Sequence, residues 1–164
     1  MSRNFTMVSP EIWSSPRFAA QDSDGKTLLL YFITGPHQNN SGCARVKEGY
    51  ALADLGWDAR LYRAKRKGLH DAELIDVDGD EVYVQRWYEH CAPGNIKHAR
   101  GIIANINKIE SDRLREKVEA EFADTVWGKK ALEEGRAAND PLASVPDNNR
   151  LANTGYMRGG NRWG

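Results

Sequence analysis

The sequence predicts a mostly α-helical chain with one small β-hairpin. Three observations predict it. Apolar residues recur at helical spacing in separated stretches, as with Leu28, Leu29, Phe32 and Ile33 in "DSDGKTLLLYFITG" and Leu114, Val118, Phe122 and Val126 in "DRLREKVEAEFADTVW". An Asp-Gly pair sits between the apolar-rich runs "LIDV" and "EVYVQRW", the strongest short-range signal for a hairpin. The 164 residues are 40% apolar and 28% charged, which places the chain among folded proteins and gives it length for one domain and an extension.

Residues 1–21 read as an irregular arm, with Trp13 and Phe18 of "EIWSSPRF" expected to pin it onto the core. A first helix begins near Ser23 or Asp24, buries Leu28, Leu29, Phe32 and Ile33, and ends at Gly35-Pro36. After the polar turn "PHQNNSG", "GCARV" reads as a short strand, and "KEGYALADLG" as a helix of about ten residues stopped by Gly56. Asp58 is a good N-cap for the next helix, which runs to about Ala72. Spacings of three and four put Leu61, Ala64, Gly68 and Ala72 on its packing face and turn Arg60, Arg63, Arg66, Lys67 and His70 elsewhere. The hairpin follows. Strict alternation along its second strand groups Trp87 with Tyr83 and Gln85, so Trp87 shares the core with Val82 and Val84 only if a bulge intervenes.

Beyond "CAPGN", "IKHARGIIANINKI" carries a helical stripe of Ile96, Ile103, Ile106 and Ile109 or their neighbours, and Ser111 caps a last helix. From about residue 138 the chain is rich in Asn, Gly and Pro without a period, and a flexible tail is expected. The expected organisation is an arm and hairpin-bearing domain over 1–92, a helical extension over 93–137 and a tail over 138–164.

Several function classes are excluded at this level. Twenty-three basic and 23 acidic residues balance, so any attraction to nucleic acid has to come from a local patch. The longest apolar run, "TLLLYFI", is far short of the ~20 residues of a membrane span, and no signal-peptide pattern opens the chain; a cytoplasmic location is expected. Cys43 and Cys91 lack CxxC spacing and are expected as buried thiols. The chain has no GxSxG, no phosphate-cradling glycine loop with Lys and no HExxH, so no enzyme activity and no cofactor are expected. The alternating acids of "DVDGDEVYVQRW" do not make a calcium loop, because Gly79 falls at the fourth position rather than the sixth and Trp87 at the twelfth. Nor do His37, Cys43, His90, Cys91 and His98 have zinc-ligand spacing.

Two helices joined by a tight glycine turn, the second basic and followed by a hairpin, have the layout of a winged helix-turn-helix, here followed by two C-terminal helices and the tail. A helix fits the major groove of B-DNA, and Arg or Lys on its outer face reaches phosphates or guanine edges. Arg60, Arg63, Arg66, Lys67 and His70 are the candidate DNA contacts. Asp76, Asp78, Asp80 and Glu81 crowd the hairpin, and like charge would repel phosphates. The wing is therefore expected to point away from DNA or to meet a basic partner. In the tail, Tyr156, Arg158, Arg162 and Trp163 are residue types that anchor partners, and they are the candidate partner-binding set.

At "EIWSSPRF", "TLLLYFITGPHQNNSG", "ALADLGW" and "ELIDVDGDEVYVQRWYEH", over about residues 10–92, the chain resembles the N-terminal winged-helix domain of phage and prophage replication proteins of the replisome-organiser or replication-initiator type. The resemblance implies a DNA-binding or oligomerising module acting in replication initiation or transcriptional control. The implied partners are double-stranded DNA, with the replication machinery, another phage or host protein, or a second copy as candidates. The alternative is a winged helix that binds a phage or host protein through its acidic wing, its C-terminal helices or its tail.

Overall fold

The computed structural model describes residues 5–139. Its arm is more regular than expected, with a 3-10 turn, Pro10–Ser14, and a one-turn helix α1, Pro16–Ala19, each started by a serine cap and a proline. Phe18 is buried as expected. Trp13 is not a core residue: it is 64% exposed and lies edge-on to Phe18 with ring centroids 5.2 Å apart.

Helix α2, Ser23–Thr34, starts where the Gly25 N–H donates to the Asp22 carboxylate at 2.8 Å and ends at Gly35. It buries Leu28, Leu29 and Phe32, while Ile33 is only half-buried. Strand β1 is Cys43–Arg45 and helix α3 is Glu48–Leu55, closed by Gly56 at φ 67, a left-handed conformation that suits glycine. Helix α4, Ala59–Asp71, is capped by Asp58, which accepts the Leu61 N–H at 2.8 Å. Strands β2, Ile75–Asp78, and β3, Glu81–Val84, form the hairpin around Gly79-Asp80, with Asp78 opposite Glu81. Gly79, at φ 55, supplies the positive φ that a tight two-residue hairpin loop demands.

The sheet order is β1-β3-β2, antiparallel throughout, so the hairpin's second strand is the central one. Order and topology are those of a winged helix-turn-helix: helix, strand, helix, helix, hairpin. Alternation along β3 explains why it is buried on both sides. Val82 and Val84 join the cluster that holds Leu28, Phe32, Tyr62, Leu69 and Ile75, whereas Glu81 accepts the Glu110 N–H and the Tyr83 hydroxyl donates to Glu121.

The α4 face is rotated from the one expected. Tyr62 and Leu69 are its buried residues, with Lys65 and Arg66 half-buried beside them, and Ala64 and Gly68 are exposed. The physical reason is area: Ala and Gly remove little apolar surface from water, so the side bearing Tyr62 and Leu69 wins the contact with α2.

Trp87 is buried, but not as a strand residue. The strand stops at Val84, Arg86 adopts a left-handed φ of 57, and Trp87 opens the one-turn helix α5, Trp87–His90. This break replaces the bulge that alternation called for. The indole covers Gly42, itself at φ 76, so closely that a Cβ there would lie 2.3 Å from Trp87 Cγ, and its N–H donates to the Asn40 carbonyl at 3.1 Å.

Helix α6, Ile96–Ile106, buries Ala99, Ile102 and Ile106 rather than the stripe of four isoleucines; Ile96 and Ile103 are half-buried, and Ile109 is buried beyond the helix end. Helix α7, Asp112–Ala123, is capped by Ser111 and buries Leu114, Val118 and Phe122 as expected. Phe122 meets Tyr88 with ring centroids 5.5 Å apart, so residues on either side of position 92 share one buried cluster. Val126 does not extend the stripe. Thr125 accepts the Gly128 N–H at 3.0 Å and starts a separate helix α8, Val126–Ala138, leaving Val126 82% exposed. The chain forms one compact unit through Leu132, and a second unit begins at Glu133. Among the described residues no helix is long and apolar enough to cross a membrane. Cys43 is buried, and burial with the nearby Glu81 and Asp76 charges pushes its thiol up to about 12; Cys91 is half-buried rather than buried.

Candidate nucleic-acid interface

Four of the five candidate DNA contacts expected on the second helix of the motif line one open groove between α4 and β2: Arg63, Arg66, Lys67 and His70, with Val77 on the strand side. Arg60 lies on the first turn, exposed, with no ion-pair partner among the described residues. The other four are engaged by the chain itself to different degrees.

Arg63 is 70% exposed, yet its guanidinium forks onto the α3 residue Glu48, Nε to Oε2 at 2.8 Å and Nη2 to Oε1 at 2.7 Å. That pairing holds the Glu48 carboxyl below the usual range and raises Arg63 above its own. Lys67 pairs with Asp71 one helical turn on. Arg66 is turned toward the wing, its Nη2 donating to the Gly79 carbonyl in the hairpin turn while its buried Nε has no partner among the described residues. It links helix to hairpin. His70 places Nδ1 3.3 Å from the Ile75 carbonyl. Lys65, half-buried, pairs with the α2 cap Asp22.

The exposed side of α4 thus carries Arg60, Arg63 and Lys67 beside Ala64 and Gly68. Small residues next to cations let the helix backbone come close to whatever it docks on, and a Cβ at Gly68 would meet no atom of the described residues within 4 Å.

The wing acids have a different employment from the expected one. Asp76 is 7% exposed and accepts Arg113 Nη1 at 2.9 and 3.0 Å and Lys117 Nζ at 3.0 Å, both from α7. Burial alone would raise its pKa, but Lys117 and Arg113 outweigh that and hold the carboxyl below its ordinary value. Glu81, 8% exposed, accepts the Glu110 and Ser111 N–H groups at 2.8 Å each, at the positive end of α7. Asp78 accepts the Ser111 hydroxyl at 2.7 Å. The basic partner of the wing is therefore this chain's own seventh helix. Asp80 remains at the turn, exposed, with no side-chain hydrogen bond or ion pair among the described residues.

Sequence reasoning missed Glu48, because nothing local joins residues 15 apart on separate helices. Asp71 was legible, since a Lys and an Asp four apart on a helix face each other. Among the described residues no group of three His, Cys, Asp or Glu is placed to hold a metal ion. The tail candidates Tyr156, Arg158, Arg162 and Trp163 lie outside the described residues.

The architecture defines an α-rich chain with a β-hairpin wing. No family model matches it, and no curated protein or solved structure is significantly similar to it.

Proposed function

We propose that the chain is a DNA-binding winged-helix protein that presents the exposed side of α4 to the major groove. One observation carries the reading: Arg60, Arg63 and Lys67 form an exposed row beside the exposed Ala64 and Gly68 on the second helix of a helix-turn-helix. A cationic row beside a small-residue strip suits phosphate contacts along one edge and close approach to base edges next to it. The carboxylates that hold Arg63 and Lys67 do not exclude this, because both pairs lie at the surface, where the phosphates of a well-seated duplex compete with them. The resemblance of residues 10–92 to phage and prophage replication proteins supports a role in replication initiation or transcriptional control.

A protein-binding role through the acidic wing has less support, since Asp76, Asp78 and Glu81 are already engaged within the chain. The test is selection of bound fragments from genomic DNA by the full chain, followed by titration of an enriched duplex at several salt concentrations. Enrichment of a common site with steeply salt-dependent binding is expected. No enrichment, with no binding at low salt, would remove the reading.

A further inference from the structure

We infer that Glu48 determines specificity at this interface, as an internal carboxylate that keeps Arg63 from non-specific phosphates. The inference rests on the DNA-binding reading of α4 and goes beyond it by assigning a role to a residue of α3.

The geometry is that of bidentate recognition. Glu48 offers both carboxylate oxygens to the Nε–Nη2 edge of Arg63, at 2.8 and 2.7 Å. The same edge would grip a phosphate, and the same forked, two-donor geometry serves a guanine. The side chain sits on the surface at 70% exposure, within reach of a docked duplex, while Glu48 is half-covered at 33%. Lys67 is not held in the same way. An ammonium has three rotatable donors, and its one contact with Asp71 leaves two for phosphate. The fork on Arg63 occupies its Nε–Nη2 edge and holds a carboxylate charge against it, so a phosphate approaching the three N–H donors that remain meets that charge as well.

A loosely held duplex therefore gains from Arg60 and Lys67, and little from Arg63 while Glu48 offsets its charge. A phosphate passing the surface has to displace a carboxylate that the helix-turn-helix already holds in place. At a well-fitted site the remaining contacts seat α4 deeply, and Arg63 exchanges Glu48 for a DNA acceptor. Glu48 thus removes one phosphate contact from non-specific binding and leaves specific binding with its full set. Glu48→Gln should restore the missing contact.

The experiment measures binding of the full chain to a mixed-sequence duplex of about 20 bp, two helical turns, across a salt series. The proteins are wild type, Glu48→Gln, Arg63→Ala and the double variant. Glu48→Gln is expected to bind the mixed duplex about fivefold more tightly, and its log–log salt slope to steepen by about 0.9 for the one added phosphate contact. Both gains should vanish in the Arg63→Ala background, because they pass through that guanidinium. Wild-type binding with no gain on Glu48→Gln, or a gain that persists without Arg63, overturns the latch and leaves DNA binding standing. Absence of binding by wild type and Glu48→Gln alike at low salt overturns the DNA-binding reading and the latch with it.

Discussion

Trp87 and Gly42 form one packing unit, and its energetics can be worked from the contact between them. Trp87 is 4% exposed and its indole N–H is satisfied by the Asn40 carbonyl. Trp87→Ala removes a large buried ring and that hydrogen bond, and truncation of a buried aromatic costs about 3–5 kcal/mol. Against a total of roughly 5–15 kcal/mol for a folded protein, that is a large share. Gly42→Ala acts on the same space from the other side. Its φ of 76 penalises an L side chain by about 1–2 kcal/mol. The new Cβ, 2.3 Å from Trp87 Cγ, adds an overpacking cost of about 1–3 kcal/mol. With Trp87 already cut to Ala the clash with the ring disappears, while the approach to the Cβ that remains, 2.7 Å, and the backbone part stay. Urea unfolding followed by circular dichroism on wild type, both single variants and the double should therefore show a coupling of about 1–2 kcal/mol, the ring's share of the overpacking cost, with the double variant more stable than additivity allows. Strictly additive costs, or a Trp87→Ala loss under about 1 kcal/mol, would show that the indole does not occupy the space above Gly42.

Other expectations follow from the same contacts. Arg63→Ala with Lys67→Ala should leave the melting temperature near wild type, since both side chains are exposed, and should flatten the salt slope on an enriched duplex by about two contacts' worth; an unchanged slope would retire α4 as the DNA-reading helix. Asp76→Asn should destabilise the fold by about 2 kcal/mol, less than a fully buried pair would lose, because Arg113 and Lys117 are partly solvated. The Asp76 carboxyl is depressed in the folded state, so its contribution is complete above the unfolded pKa of about 4 and is lost as pH falls through the lower folded value. Wild type should therefore lose more stability than Asp76→Asn on acidification below about pH 4, and parallel pH–stability curves would contradict the clasp. Removing residues 140–164, a segment poor in apolar anchors, should shift the melting temperature little, while changing Tyr156, Arg158, Arg162 and Trp163 to Ala should weaken capture of a partner protein or self-association if the tail docks; a large loss of thermal stability on truncation would assign the segment to the folded body.

What the sequence determined by itself is what short-range forces decide. Asp22, Asp58 and Ser111 start helices because a side-chain oxygen meets an N–H three residues on, and Gly56 and Gly79 turn the chain because they bear positive φ. Those interactions lie within a few residues, so the order of helices and hairpin was legible, and so was the cationic character of the helix after Gly56. The face α4 buries was not. Periodicity places Leu61, Ala64, Gly68 and Ala72 together, but only the apposition of α2 shows that Tyr62 and Leu69 bury more area. The same limit hid the fate of the charges. Asp76 meets Arg113 and Lys117 across 37 and 41 residues, and Glu81 meets the start of α7 across 29 and 30, so acids that look repellent in sequence are engaged within the chain. Trp87 faces inward because Arg86 takes a left-handed turn, which neither its own residue type nor strand alternation signals. Tertiary structure decided each of these because a charge or a ring carries no mark of its partner until packing brings the two within a few ångströms.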